Sequence, residues 1–438
     1  MASELSARAP PFRHEYRGCP RPPDIAAGKG RSHPLPPPIT PAITSLLSPN
    51  LAAPGLCPED SRPPGSEPRF VPRIESLRGV AAFMVAVFHS FTLLPVGGVE
   101  KFYLRRIFEL DGAAPIFARL LTAIFSGGAA VSLFFVISGY VLRLALKRDT
   151  REAAVLATSF ISRRFLRIYP ALAVNLCVMF AVLWAAHLLR PGLFTNAPAP
   201  FALIENLALT RISINGVTWT LLVEFIAVPF ILFAHLLTRR FGLRVLLAFT
   251  AYLTLAIFQR KFLLVCSPFN GFLFMFAFGM LVADFAPARM ARLSSCDAGK
   301  LLVLGVVLLL GARLFTGYAS RWSILLEGIG GLLVVSIVAC GPSLRPLAWL
   351  DYALVRSLGR ISYSFYLYHP VFLVVIVSPV VLGLVPAAVL AKWPLSIGLL
   401  VALITIPPAW LAAKLSFRFV EQGALRIGRK KKQDGPGK

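Results

Sequence analysis

Charge is scarce in this sequence, and acidic charge is scarcer still. Only 15% of the 438 residues are charged, against 57% hydrophobic, and mean hydropathy is +0.72. There is too little polar surface to clothe a soluble fold, which excludes an ordinary water-soluble enzyme. Acidic residues number 20 against 45 lysines and arginines, a formal charge of +25. That excess does not form one basic surface: it falls in short blocks between apolar runs, the pattern of topology determinants, so no nucleic-acid partner is expected. Cysteine is sparse too. The six stand at 19, 57, 177, 266, 296 and 340, with no CxxC pair and no histidine at metal-ligand spacing, so neither a zinc site nor a disulfide framework is expected and no metal ligands are assigned.

What is abundant is long apolar sequence. Ten runs, each near the roughly 20 residues that a helix needs to cross a bilayer, lie at 77–96, 126–146, 168–189, 216–238, 243–258, 267–284, 299–316, 322–340, 360–384 and 393–415. The expected fold is all-α, a polytopic transmembrane helical bundle of about ten spans. Residues 1–70 are Pro-rich, with Pro36-Pro37-Pro38 and Pro63-Pro64, and bury too little apolar surface to offset chain entropy; they read as a disordered cytoplasmic tail. Residues 71–420 form the expected membrane domain and 421–438 a basic cytoplasmic tail. The loop after the second run carries Arg143, Lys147, Arg148, Arg151, Arg163, Arg164 and Arg167, and the C-terminus carries Arg429 to Lys432. Placing those blocks inside puts both termini in the cytoplasm.

A few polar residues interrupt the runs. Arg78 and His89 are eleven steps apart, about three turns plus 20°, so they share one helix face; the same steps rise roughly 16 Å, from the polar edge to about mid-bilayer. An ionisable residue at that depth is a functional candidate, although a histidine bonded to a neighbouring helix is the plainer alternative. Glu224, five residues after Trp219, is either functional or a helix–helix hydrogen-bond partner. Ser138-Gly139 follows a block of large apolar residues, where Gly139 suits close packing and Ser138 a buried hydrogen bond. Tyr363, Tyr366 and Tyr368 fit an interfacial belt as well as a site, whereas His369-Pro370 is less easily dismissed. His187 and His235 sit near run ends, where snorkelling suffices. Arg163, Arg164 and Arg167 cluster on one helical turn, suited to phosphate or to topology alike.

Taken together, Arg78-x10-His89, Phe134-Phe-Val-Ile-Ser-Gly-Tyr140, Arg163-Arg-Phe-Leu-Arg-Ile-Tyr-Pro170, Trp219-Thr-Leu-Leu-Val-Glu224 and Ser362-Tyr-Ser-Phe-Tyr-Leu-Tyr-His-Pro370 occur in the order seen in acyltransferase family 3, which the chain resembles over about residues 75–420. The resemblance implies a multi-pass protein of the bacterial inner membrane that moves an acyl group, most often acetyl, from cytoplasmic acyl-CoA to a sugar hydroxyl. Acetyl-CoA is then a donor substrate and no permanently bound cofactor is expected. The implied partners are acyl-CoA, a polysaccharide or lipid-linked glycan acceptor, and the lipid bilayer. Arg78 and His89 match the family's essential pair, and Arg163, Arg164 and Arg167 its basic acyl-CoA-side motif. Glu75 stands where the family often has Asp. Glu224 joins the catalytic set, with Ser138, Trp219, Tyr366 and His369 in supporting roles. A proton-coupled transporter of a small solute is the competing class, but no internal repeat of the kind such carriers often show is evident.

Overall fold

The computed structural model describes residues 72–92, 100–189, 197–259, 271–377, 381, 383–424 and 426. The expected tail over residues 1–70 and most of the basic C-terminal tail lie outside the described residues. Within them the chain is helical, with no strand. The principal helices are α1 (Pro72–Thr92), α2 (Ala113–Ile124), α3 (Gly127–Lys147), α4 (Ala153–Leu189), α5 (Trp219–Phe241), α6 (Leu243–Leu255), α7 (Leu273–Met290), α8 (Ser295–Thr316), α9 (Arg321–Cys340), α10 (Ala353–Arg360), α11 (Ser362–Pro370) and α12 (Pro394–Ser416). Among the described residues eight helical stretches are long and apolar enough to cross a membrane. The protein is a multi-pass membrane helical bundle.

Two of the ten expected spans depart from a single long helix. The fifth becomes α6, a helix of 13 residues, which Gly242 separates from α5 by adopting φ +81°, a conformation that a side chain would resist. The ninth is built in pieces: α10, then α11, then a π-helical segment Val371–Val377. Pro370 explains the change from α11 to the π segment, since it has no N–H for the preceding turn. The N–H of Val371 bonds the Tyr368 carbonyl, which frees the carbonyl of Leu367. The buried amides of Asn175 and Asn215 recapture it at 2.9 and 3.1 Å, and Asn215 also donates to Asn175 at 2.7 Å. A broken helix is tolerable inside a membrane when neighbours satisfy its backbone in this way.

Small residues set the closest crossings. A Cβ on Gly79 of α1 would lie 2.5 Å from the Gly359 nitrogen of α10, and one on Gly359 would lie 2.5 Å from the Glu75 carbonyl. Gly139 of α3 and Gly279 of α7 meet in the same manner, each facing the other helix's backbone. Such contacts let backbones approach where the bilayer offers no hydrophobic drive for helices to associate. Around them α1, α3, α7 and α9 form the buried centre, with Phe135, Phe274 and Phe276 in one core cluster.

Several charges sit deeper than the sequence implies. Arg143, expected in a basic loop, is buried within α3 and bonds Asp284 of α7 at 2.8 Å. Its guanidinium also donates to His235 Nδ1 at 2.6 Å, so His235 is buried and paired instead of snorkelling. The reason is mutual: three helix ends converge, and an arginine can supply donors to both neighbours. At the opposite end Arg313 pairs with Glu327 at 2.5 Å, Ser132 donates to Glu327 at 2.9 Å, and Arg119 donates to the Arg313 carbonyl at 2.5 Å.

Candidate active site

Two polar clusters lie along α1. The helix begins at Pro72, six residues before Arg78, so Arg78 sits about 9 Å and His89 about 26 Å along the axis. Arg78 therefore lies nearly two turns into α1, and His89 about three turns further along the same helix.

The first cluster surrounds Arg78. The charges of Arg167, Arg164, Glu224 and Glu421 all act on it, and Glu75, one turn earlier, feels Arg78, Arg360 and Arg167. Arg164 and Glu224 form an ion pair between α4 and α5, and Ser138 of α3 donates to Glu224 at 3.4 Å. Arg164 Nε is buried without a hydrogen-bond partner among the described residues. Neither Arg78 nor Arg167 makes an ion pair with a described residue, although each lies in the other's field. Three guanidinium groups are thus gathered with three carboxylates, Glu75, Glu224 and Glu421, and with unspent donors. Such a site suits an anion with several oxygens.

Arg163 leaves this group. It is exposed and bonds Ser159 of its own helix and Asp149 in the preceding loop. Hydrogen bonds from Arg151, seconded by Arg163, hold the Asp149 carboxyl well below the usual aspartate range. One residue of helical rotation, about 100°, separates the two outcomes: Arg164 points into the bundle and Arg163 away from it.

The second cluster is a histidine pair. His89 Nδ1 lies 2.9 Å from His369 Nε2, with ring centroids 5.2 Å apart and planes inclined by only 19°. The register that brings Gly79 to Gly359, 280 residues apart, brings His89 to His369 by the same offset. Two parallel helices therefore deliver the pair, and the glycine crossing sets their phase. His369 is fully buried, while His89 keeps some accessible surface. Tyr366 packs beside His369 at 5.8 Å, and its hydroxyl donates to the Val217 carbonyl at 3.2 Å and accepts from Thr220 at 3.1 Å. Trp219 packs against Phe272 at 5.4 Å and Phe135 at 6.3 Å. A cavity of about 370 Å³ between α6, α7, α8 and α9, lined by Leu281, Phe285 and Leu332 among others, includes none of the candidate residues.

The chain matches the family model described as an acyltransferase domain over residues 71–413. It belongs to acyltransferase family 3. No curated protein and no solved structure matches it. Membership makes the protein a membrane acyltransferase and leaves its donor and acceptor to chemistry. Every motif of the resemblance falls within the matched residues.

Three features of the site were not read from sequence. Glu421 closes the arginine cluster from a π turn that follows α12, accepting from Ser364, whose Oγ lies 2.9 Å from that of Ser416. Asn175 and Asn215 hold the broken helix beneath His369. Asn175 had a signal, a carboxamide inside an apolar run; Glu421 lay just past the expected membrane boundary and had none.

Proposed function

We propose that the protein moves an acyl group, acetyl in the leading case, from cytoplasmic acyl-CoA to a hydroxyl of a surface or secreted polysaccharide or its lipid-linked precursor. The observation that carries this reading is the arginine cluster: Arg78, Arg164 and Arg167 gather between α1 and α4, neither Arg78 nor Arg167 makes an ion pair with a described residue, and Arg164 Nε is unspent. Arg164 is partly buried and Arg167 exposed, so the cluster opens outward, and its free guanidinium donors suit a multiply charged anion. The phosphates of acyl-CoA are such an anion, and the donor is available only on the cytoplasmic side. The basic loops around Arg148, Arg151 and Arg163 support placing that end of the bundle in the cytoplasm, with both termini inside and the protein in the bacterial inner membrane.

From the cluster, α1 leads to His89, eleven residues or roughly 16 Å away, a separation suited to the extended pantetheine arm of the donor. His89 acts as the base. A sugar hydroxyl is a poor nucleophile until its proton is taken, and neutral imidazole suits that task near neutral pH. The acyl C–O bond forms, the thioester C–S bond breaks, and the hydroxyl proton held on His89 leaves with the CoA thiolate. Glu224 orients Arg164, and Ser138 braces Glu224.

The test is genetic and chemical. Deleting the gene removes O-acyl groups from surface and secreted glycans, read by NMR; the wild-type chain restores them, and well-expressed His89→Ala and Arg78→Ala chains do not. Full restoration by His89→Ala overturns the assignment of the base.

A further inference from the structure

The pairing of His89 with His369 raises a question that the reaction alone does not answer, namely which nitrogen carries the proton. Only one of the two facing nitrogens, 2.9 Å apart, can hold hydrogen in a good bond between neutral imidazoles. The surroundings of His369 decide it. Its Nε2 is committed to His89, and Pro370, which has no N–H, leaves the Tyr366 carbonyl on the turn before His369 without its helical donor. Its Nδ1 is buried without a partner of good hydrogen-bond geometry. An N–H directed toward carbonyl oxygens is attractive and a lone pair repulsive, so the proton of His369 belongs on Nδ1. Its Nε2 is then an acceptor, and His89 must donate from Nδ1.

We infer that His369 is a positioning residue that fixes the tautomer of His89, keeping the proton on His89 Nδ1 and leaving His89 Nε2 as the lone pair that takes the acceptor's proton. The inference rests on the reading of His89 as the base. His369 is suited to the task because it cannot turn: it is fully buried, stacks on Phe365 at 6.5 Å, and precedes a helix break whose free carbonyl is held by Asn175 and Asn215. His89, by contrast, keeps accessible surface. As His89 Nε2 gains the hydroxyl proton, the charge that develops on its ring is stabilised through the Nδ1–H bond to His369, and the proton returns from Nε2 to the departing thiolate. The two rings do not exchange places in the chemistry; His369 touches no substrate.

The measurement compares His369→Gln with His369→Leu in the full chain, reconstituted in lipid vesicles with labelled acetyl-CoA. A glutamine carbonyl can accept from His89 Nδ1–H near the position of the lost Nε2, and leucine cannot. His369→Leu lowers turnover about 100-fold with little change in donor KM, and His369→Gln recovers to within about tenfold of wild type. Solid-state 15N NMR of histidine-labelled protein, without substrate, shows a protonated Nδ1 and bare Nε2 on His89 in wild type and His369→Gln, and mixed tautomers in His369→Leu. Wild-type turnover in His369→Leu, a glutamine variant no better than leucine, or a protonated His89 Nε2 in wild type overturns the inference. If His89→Ala itself keeps full transfer, the reading of the base falls, and the NMR spectrum still decides the tautomer.

Discussion

Arginine is the residue whose meaning changes most with position in this protein. Arg163, Arg164 and Arg167 look alike in sequence, yet Arg163 is spent on Asp149 and Ser159 while Arg164 enters the bundle to meet Glu224. Arg163→Ala is therefore expected to leave donor KM within about twofold of wild type, and Arg167→Ala to raise it tenfold or more, about 1.4 kcal/mol of lost binding; steady-state kinetics against acyl-CoA concentration checks both. Equal effects of the two changes would dissolve the distinction. The buried Arg313–Glu327 pair makes a separate prediction. Glu327 is almost wholly buried beside a guanidinium, so Glu327→Ala strands a charge and destabilises the fold by about 3–5 kcal/mol. A lowered unfolding midpoint in detergent checks it, and an unchanged midpoint contradicts it.

Helices carry the geometry that single residues need. The common offset of 280 residues between Gly79 and Gly359 and between His89 and His369 means that α1 and the α10–α11 segment act as one parallel ruler. Gly79→Ala places a methyl against the Gly359 backbone, which forces the helices apart at about 1–3 kcal/mol. The expected result is a folded chain whose transfer rate falls more than tenfold, with the His89 Nδ1 bond weakened in the 15N spectrum. Gly299 of α8, with open space around its Cα, is the control: Gly299→Ala leaves activity unchanged. This is also where the sequence was least legible. Arg78 and His89 could be placed on one face because eleven residues of helix relate them by simple geometry. His369 stood out beside Pro370, but its contact with His89 spans most of the chain, and no periodicity encodes a pairing between helices so far apart in sequence.

The whole molecule was legible in outline because the bilayer imposes it. Apolar runs of nearly constant length can be only helices there, so the bundle and most of its members followed from composition. Of the exceptions, α6 is short, set off from α5 by Gly242, and the ninth span breaks where proline overrides hydropathy. Buried charge was harder to read, since Arg143, Arg313 and Glu327 become tolerable only through partners on other helices. At this scale the proposed donor site at Arg78, Arg164 and Arg167 and the proposed base at His89 are two ends of a single path along α1. Its most direct test is acyl transfer from radiolabelled acetyl-CoA to glycan in membrane vesicles, with donor concentration varied, for wild type, Arg167→Ala and His89→Ala. The account predicts that Arg167→Ala raises donor KM with turnover largely kept, whereas His89→Ala abolishes turnover while the donor still binds. Retained turnover in His89→Ala, or unaltered donor affinity in Arg167→Ala, would contradict it.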